Sequence, residues 1–246
     1  MSVIYVPSGR AGEYSALAAN LYRGCAHGCR YCYGPRILHM PRQEFVNDAR
    51  SRTDIVTRLK ASATDRQRKG KAGDVLLCFV CDPYQPLESM HGITRAAIQI
   101  LHDTGHTVTI LTKAGQLPRR DFDLLGKGDS FAVTLTCWTP QDQTYWEANA
   151  GSTPERIDLL KEAHDRGIYT WASFEPVIYP YQTLMLIETV WPWIREAKIG
   201  KLNYHLYAKQ VDWARFVEDA TRLLQKLGIP YLIERDTLDA ARERGK

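Results

Sequence analysis

Apolar positions along this chain follow two alternating periodicities between about residues 17 and 233. Continuous runs of aliphatic and β-branched residues predict buried strands, and stretches with apolar residues three and four positions apart predict helices. The predicted strands cover residues 17–22, 74–80, 107–111, 130–137, 168–174, 199–207 and 231–233. The predicted helices cover residues 54–66, 93–101, 121–125, 153–166, 184–196 and 212–227. Strand and helix alternate about six times, which is typical of a parallel sheet covered by helices.

Glycine, proline and capping residues mark the ends of these elements. Thr153 followed by Pro154 predicts an N-cap and a first helical turn, and Asp212 predicts the cap of the last helix. Three helices are closed by glycines, at Gly105, Gly167 and Gly228. The segments expected to be irregular are a lead-in at 1–18, a polar and aromatic loop at 138–151 and a charged, frayed tail at 236–246. We expect one domain over residues 1–246.

The composition is that of an ordinary globular chain with a small positive charge. Of the 246 residues 44% are apolar and 24% are charged, and the net charge of +4 is too small to indicate a nucleic-acid partner by itself. No apolar run reaches about 18 residues, so no membrane span is expected. The N-terminus lacks a signal-peptide pattern, and six cysteines in a chain of this length do not indicate a disulfide framework. These features favour a reduced, cytoplasmic setting.

One short segment carries specific chemistry. Cys25, Cys29 and Cys32 have the spacing C-x3-C-x2-C, and thiolates are the usual ligands of iron–sulfur clusters, which normally take four of them. Three cysteines without a fourth nearby therefore predict a cluster with one open iron, where a small molecule can bind. The alternative is a structural zinc site that uses the same three cysteines and His27.

With Tyr31 directly before Cys32, this segment resembles the signature of the radical S-adenosylmethionine (SAM) superfamily. The resemblance implies an α/β fold, namely a partial (β/α)6 TIM-like barrel, with one 4Fe–4S cluster whose open iron binds SAM. It also implies reductive cleavage of SAM to a 5′-deoxyadenosyl radical, with an electron donor such as flavodoxin or ferredoxin. We expect no membrane association and a monomer. In barrels the chemistry lies at the C-terminal ends of the strands, and the cysteine segment follows the first predicted strand.

The ends of the other predicted strands supply the remaining candidates. The stretch Asp82-Pro83-Tyr84-Gln85-Pro86 resembles the group related to spore photoproduct lyase, and Thr112-Lys113 and Glu175-Pro176 match pairs in the same relatives. The resemblance implies that SAM is bound by Tyr31, Asp82, Lys113, Thr134 and Thr136. Glu175 is expected over the cavity, where it could bind ribose hydroxyls, a substrate amine or a proton. Each residue also has a structural alternative, such as a turn cap at Asp82.

Cys81 is the third catalytic candidate with Glu175 and Tyr84. Photoproduct lyases use a cysteine near this strand end as a hydrogen donor. That position corresponds to Val80 in this sequence, one residue before Cys81, so Cys81 as a redox-active thiol is a hypothesis. Packing as an apolar cysteine is the alternative, and it applies to Cys78 and Cys137 as well.

Three features favour a nucleobase substrate. The first is part of the resemblance, since spore photoproduct lyase acts on thymine in DNA. Residues 50–71 contain eight Lys and Arg side chains that could meet phosphates or form a solvated helix face. Aromatic residues that could stack on an extruded base, or pack in the core instead, are Tyr84, Trp138, Tyr145, Trp146, Tyr179 and Tyr181.

These features lead to one functional expectation with two alternatives. We expect modification or isomerisation of a hypermodified thymidine in DNA, in a bacterial or phage-infected host cell, because short relatives of this kind occur in phage-like contexts. Lesion repair in the manner of spore photoproduct lyase is the first alternative, although this chain lacks the extra N-terminal region of those enzymes. A non-catalytic, cluster-bearing nucleic-acid-binding module is the second. No winged-helix extension for a leader peptide is visible, which disfavours a peptide substrate.

Overall fold

The computed structural model describes residues 2–243 except for the side chain of Arg10. The strands are β1 (Ile4–Tyr5), β2 (Leu17–Ala19), β3 (Tyr22–Arg23), β4 (Arg50–Ser51), β5 (Asp74–Leu77), β6 (Thr107–Thr112), β7 (Ser130–Thr134), β8 (Tyr169–Val177), β9 (Ala197–Lys201) and β10 (Tyr231–Ile233). The helices are α1 (Gly34–Ile37), α2 (Arg42–Asn47), α3 (Ile55–Arg68), α4 (Glu88–His91), α5 (Ile93–Asp103), α6 (Pro140–Trp146), α7 (Thr153–Asp165), α8 (Pro180–Val190), α9 (Trp213–Leu227) and α10 (Arg235–Glu243). Short 3-10 turns occupy Gly9–Glu13, Leu117–Asp121, Trp191–Trp193 and Leu206–Gln210.

The main sheet has the strand order β1-β2-β5-β6-β7-β8-β9-β10. The strands from β2 onwards are parallel to their neighbours, and only β1 runs antiparallel to β2. The strands and intervening helices follow each other along the sheet, which is the α/β, partial-barrel architecture expected from the sequence. Because the strands are parallel, their C-terminal ends lie at one edge of the sheet.

The core forms where the apolar faces of the helices cover the strands. In α5 the residues Ile93, Ala97 and Leu101 are buried, and in α9 Phe216 and Leu224 are buried, as the helical spacing predicts. Burying each of the larger side chains stabilises the fold by about 1.5–3 kcal/mol. Within residues 2–243 the longest helices are too short or too polar to traverse a lipid bilayer.

The loop predicted at 138–151 contains a helix, which corrects that prediction. The hydroxyl of Thr139 accepts a hydrogen bond from the Asp142 nitrogen (3.2 Å) and caps α6, and Pro140 occupies its first turn. Trp146 is buried at the other end of the helix. The cap is visible in the sequence, but the segment is too short and polar to show helical periodicity.

The lead-in and the tail are also more regular than predicted. The lead-in contributes β1, which pairs with β2, and a 3-10 turn at Gly9–Glu13. Residues 235–243 form α10, because Leu238, Ala240 and Ala241 pack against the core despite the charged residues between them. The last predicted tail residues, 244–246, lie outside the described part.

Smaller corrections concern element ends. The helix after β7 is capped by Ser152, one residue before the predicted cap, and Ser152 forms a reciprocal capping box with Glu155. The helix predicted at 184–196 begins at Pro180 and ends at Val190, because Pro192 cannot continue it. The predicted helix at 121–125 is replaced by the 3-10 turn Leu117–Asp121. The strand predicted at 199–207 ends at Lys201.

Candidate functional site

A cavity of about 330 Å³ lies at the C-terminal edge of the parallel strands. The C-terminal parts of β6, β7 and β8 and the segments that follow β3, β5, β9 and β10 contribute to its wall. The residues from the predicted site that line it are Cys25, Cys29, Tyr31, Cys32, Cys81, Asp82, Lys113, Thr134 and Glu175. The sheet therefore brings nine of the eleven predicted site residues to one space.

The cysteine loop, residues 24–33, is anchored by hydrogen bonds to three other segments. The Cys25 nitrogen donates to the Phe45 carbonyl (3.0 Å), and the Arg30 nitrogen donates to the Trp146 carbonyl (2.8 Å). Gly24 makes the first contact possible, because it has φ +83° and an added Cβ would lie 2.5 Å from the Phe45 oxygen. The loop is thus held by contacts within the protein.

Gln85 provides the third anchor. Its side-chain oxygen accepts from the Ala26 nitrogen (2.9 Å) and its side-chain nitrogen donates to the Gly24 carbonyl (3.3 Å). The side chain is fully buried. Gln85 belongs to the Asp82–Pro86 stretch that the sequence singles out, but its role in supporting the loop was not predicted.

The three cysteines fit an iron–sulfur cluster better than a single zinc ion. Burial raises the pKa of all three thiols, to about 12 for Cys29, so metal binding would have to release their protons. In residues 2–243 no three His, Cys, Asp or Glu side chains converge closely enough for one metal ion. In a cluster each thiolate binds a different iron, so the three thiolates need not share one metal ion. His27, the fourth ligand of the zinc alternative, faces Asp82 (Nδ1 to Oδ2, 3.5 Å).

Asp82 joins the end of β5 to the end of β6. Its two oxygens accept from the Tyr84 nitrogen (2.8 Å), the Thr112 hydroxyl (2.7 Å) and the Lys113 nitrogen (2.7 Å). Burial raises the pKa of this carboxyl, but the nearby His27 and the hydrogen bonds outweigh burial and lower the pKa to about 2. Asp82 is therefore ionised at neutral pH and acts both as a turn cap and as a wall of the cavity.

The backbone of Lys113 is held on both sides. Its nitrogen donates to Asp82, and its carbonyl accepts from the Gly151 nitrogen (2.9 Å). Gly151 packs so closely that an added Cβ would lie 2.1 Å from the Gly115 nitrogen. The Lys113 ammonium lies 5.7 Å from the centre of the Tyr31 ring, so a cation faces the cysteine end of the cavity.

A buried ion pair, not predicted from the sequence, positions Tyr31. The Glu147 carboxylate accepts from the Tyr31 hydroxyl and from the Arg156 guanidinium (2.6 Å), and both charged side chains are fully buried. Burial raises the pKa of Glu147, but Arg156 outweighs it and the pKa is lowered. Arg156 also donates to the carbonyls of Thr134 (2.9 Å) and Gly151 (2.9 Å). This pair therefore links the cysteine loop to the end of β7.

Two predicted site residues do not reach the cavity. Thr136 is buried and donates to Glu147 (2.7 Å); β7 ends at Thr134, so the strand alternation that placed both threonines on one face does not continue. Tyr84 is buried, with its hydroxyl on Asp121 (3.0 Å). Trp146 is also buried, so Tyr84 and Trp146 are unavailable to stack on a base.

Glu175 lies on β8 beside a second carboxyl, Glu234, which also lines the cavity. The Tyr14 hydroxyl donates to Glu175 (2.7 Å). Burial raises the pKa of Glu175, and the hydrogen bond from Tyr14 and the nearby Lys113 ammonium only partly offset this rise. Neither Tyr14 nor Glu234 was among the predicted site residues.

Cys81 is half-buried in the wall of the cavity. Burial, followed by its neighbour Cys78, raises the pKa of the Cys81 thiol well above its usual range. The thiol therefore stays protonated at neutral pH, which is the form that can donate a hydrogen atom. Cys137 is fully buried and does not line the cavity.

Replacing Gln85 by leucine is expected to destabilise the cysteine loop, because the buried Gly24 carbonyl and Ala26 nitrogen lose their partner at a cost of about 1–3 kcal/mol each. Iron bound per chain after anaerobic reconstitution should fall, and urea unfolding should show the loss of stability. Gln182→Leu is the matched control, since Gln182 is a buried glutamine that bonds Trp138 and Asp142 instead. Equal iron loss in both variants would contradict the specific role of Gln85.

The chain is similar in sequence to curated proteins. An uncharacterized protein of Mycobacterium tuberculosis is 28% identical over 169 residues, which cover 65% of this chain and 48% of the relative. The chain thus spans about half the length of the curated relatives that it matches.

Two solved structures share the fold. Spore photoproduct lyase complexed with dinucleoside spore photoproduct has a TM-score of 0.70 at 12% identity, covering 93% of this chain and 78% of that one. Streptococcus suis SuiB bound to precursor peptide SuiA has a TM-score of 0.67 at 14% identity, covering 92% of this chain and 50% of that one.

The family model described as the radical SAM superfamily matches residues 19–190. This span begins within β2, includes the cysteine loop and extends to the end of α8. The chain belongs to the radical SAM superfamily.

Proposed function

We propose that the protein uses SAM to abstract a hydrogen from a thymine-derived base in DNA, and thereby modifies or isomerises a hypermodified thymidine. One observation carries the proposal: a single cavity is lined by three cysteine thiols at one end and by Lys113, Cys81 and Glu175 around the remaining space. Membership of the superfamily implies SAM and a 4Fe–4S cluster, and the residue roles below belong to the proposal.

Cys25, Cys29 and Cys32 would bind three irons of the cluster as thiolates. When bound, the cluster and SAM together supply a 5′-deoxyadenosyl radical. The Lys113 ammonium would bind the SAM carboxylate as a point charge. Tyr31, held by Glu147, would form a wall for the adenine ring, and Thr134 would contact the ribose or the methionine part.

Glu175 and Cys81 would act on the substrate. Glu175 would orient a hydroxyl or amine of the substrate, since its side chain faces the cavity and is fixed by Tyr14. Cys81 would return a hydrogen atom to the product radical from its protonated thiol, and one electron from the reducing partner together with one proton would convert the resulting thiyl radical back to the thiol. Both groups are held by β-strand ends, which gives them defined positions relative to the cysteine loop.

The substrate class rests on two supports. The spore photoproduct lyase structure of the same fold contains a dinucleoside lesion, and repair of such a lesion is the second candidate reaction. The exposed arginines of the cysteine loop and α1 could meet phosphates. The SuiB structure of the same fold is bound to a precursor peptide, so a peptide is the competing substrate class that the experiments must distinguish from DNA. A reducing partner of the flavodoxin or ferredoxin class would supply the electron.

The experiment is anaerobic reconstitution with iron and sulfide, reduction in the presence of SAM, and measurement of 5′-deoxyadenosine. Reactions receive no nucleic acid, DNA with thymidine alone, or DNA with amino-acid-substituted thymidines. Formation that rises with substituted DNA supports the proposal. If 5′-deoxyadenosine forms at the same rate with and without DNA, the SAM chemistry stands and the proposed substrate is wrong. A spore photoproduct oligonucleotide that alone stimulates cleavage would favour the repair reaction.

A further inference from the structure

A second pocket of about 250 Å³ lies beside the main cavity, and three of the eight residues that line it are tyrosines. It is formed where β8 passes into α8 and where the 3-10 turn Leu206–Gln210 crosses that connection. Tyr179 and Tyr181 contribute from the first segment, and Tyr207 contributes from the second. The Tyr181 side chain is 58% exposed, so one ring is available at the surface of the pocket.

Aromatic rings connect this pocket to the main cavity. Tyr31, which lines the main cavity, lies 6.4 Å from the Trp146 ring. The Trp146 ring lies 6.3 Å from Tyr207, and Tyr207 lies 5.5 Å from Tyr179 in the second pocket. The two pockets are therefore neighbours, separated by ring-to-ring contacts.

Two arginines lie on exposed tyrosine rings along the cysteine-loop side of the same region. The Arg30 guanidinium lies 4.1 Å from the centre of the Tyr145 ring, and that of Arg36 lies 4.6 Å from the centre of the Tyr204 ring. Tyr145 and Tyr204 are 51% and 66% exposed. Stacking on a ring fixes each guanidinium while its N–H groups stay available to an anion.

We propose that the pocket lined by Tyr179, Tyr181 and Tyr207 binds an unpaired nucleobase of the strand that carries the target base, with the phosphates of that strand on Arg30 and Arg36. This inference rests on the proposed function, which it deepens by assigning a second base-binding site. Aromatic platforms combined with cations are the general means of binding single strands, at about 1–3 kcal/mol for each stacked base.

The acidic residues at this pocket are compatible with a base but not with a phosphate in the pocket itself. Asp212 caps α9 by accepting from the Arg215 nitrogen (3.1 Å). Asp142 lies next to Tyr179, outside the lining of the pocket, and accepts from the Thr139 hydroxyl and the Gln182 amide (both 2.6 Å). The remaining acceptor capacity of Asp212, which lines the pocket, suits the amino groups of a base. The phosphates must therefore lie on the arginine side.

The test measures binding of a short fluorescein-labelled thymidine strand by fluorescence anisotropy, with reconstituted protein and SAM. Tyr181→Leu and Tyr207→Leu remove the rings but keep apolar side chains. Each should raise the Kd about 5-fold or more, since a lost stacking contact of 1–3 kcal/mol corresponds to about 5- to 150-fold. Arg30→Gln should reduce the slope of log K against log salt by about one.

The matched controls are Tyr169→Leu and Tyr231→Leu. Both tyrosines are exposed, at 43% and 37%, but they begin β8 and β10 and so lie at the opposite edge of the sheet. Their variants should bind the strand as the wild type does. Equal affinities for wild type, Tyr181→Leu and Tyr207→Leu would overturn the inference, as would equal losses in the control variants.

Formation of 5′-deoxyadenosine from the same samples separates the two proposals. If DNA stimulates SAM cleavage but the pocket variants bind normally, the second base site is wrong and the proposed function stands. If the pocket variants lose affinity but DNA never affects SAM cleavage, the base site stands and the proposed substrate is wrong. If the wild type binds an oligopeptide and no DNA, both proposals are wrong.

Discussion

Cys29→Ala is expected to abolish formation of 5′-deoxyadenosine and to remove the cluster. The three thiols of the cysteine loop line the cavity, and an iron that lacks its thiolate would be exposed to solvent and lost from the cluster. The measurements are iron and sulfide bound per chain after reconstitution, and 5′-deoxyadenosine formed after reduction with SAM. We expect both to fall to the level of protein that was never reconstituted.

Cys137→Ala is the control for this prediction. Cys137 is a buried free cysteine outside the cavity, packed near Trp146 and Ile178, so its loss should leave the iron content unchanged. Full iron content in Cys29→Ala would show that the three cysteines do not bind the cluster. If the protein holds zinc instead of iron, the cysteine loop has a structural role, as in the zinc alternative.

Arg156→Met is expected to be the most destabilising of the substitutions considered. The Glu147 carboxylate would stay buried without its counter-ion, and the carbonyls of Thr134 and Gly151 would lose a donor. Breaking a buried pair in this way costs about 3–5 kcal/mol. Urea unfolding followed by circular dichroism should show this loss as a lower midpoint with an unchanged slope.

Two comparisons make the Arg156 prediction specific. Arg166→Met removes a surface pair with Glu162 just beyond the same helix, and exposed pairs contribute about 1 kcal/mol or less. The double variant Glu147→Gln with Arg156→Met removes the uncompensated charge and should recover part of the lost stability. If the double variant is less stable than Arg156→Met, the unpaired charge of Glu147 is not the cause of the lost stability.

Much of the fold follows from the sequence because the parallel strands are buried runs with clear helical segments between them. The strand predicted at 107–111 and the helix predicted from Asp212 match β6 and α9 closely. Short or charged elements escaped prediction. The segment of α6 is too short and polar to show a periodic face, and the apolar positions of α10 are one leucine and a few alanines among charged residues. Whether such elements form depends on their tertiary contacts.

The site was predictable only where a local motif carried it. The cysteine loop, Asp82 and Lys113 stand at strand ends that the alternation of elements locates. Glu147 and Arg156 could not be found, because the sequence gives no sign that two charged residues nine positions apart are buried together. Thr136 was misplaced for a related reason: strand alternation is a guide only as far as the strand continues, and β7 ends two residues earlier.

The contact between Gly151 and Gly115 has a consequence for how this chain can vary. Neither glycine has a positive φ, so the usual reason for retaining glycine is absent, and a substitution at 151 is excluded only by the backbone that it would strike. A homologue with a larger residue at 151 must therefore displace the segment that begins at Lys113. We expect the two loops to covary in length and composition across related sequences, and mutational scanning should find position 151 intolerant of alanine.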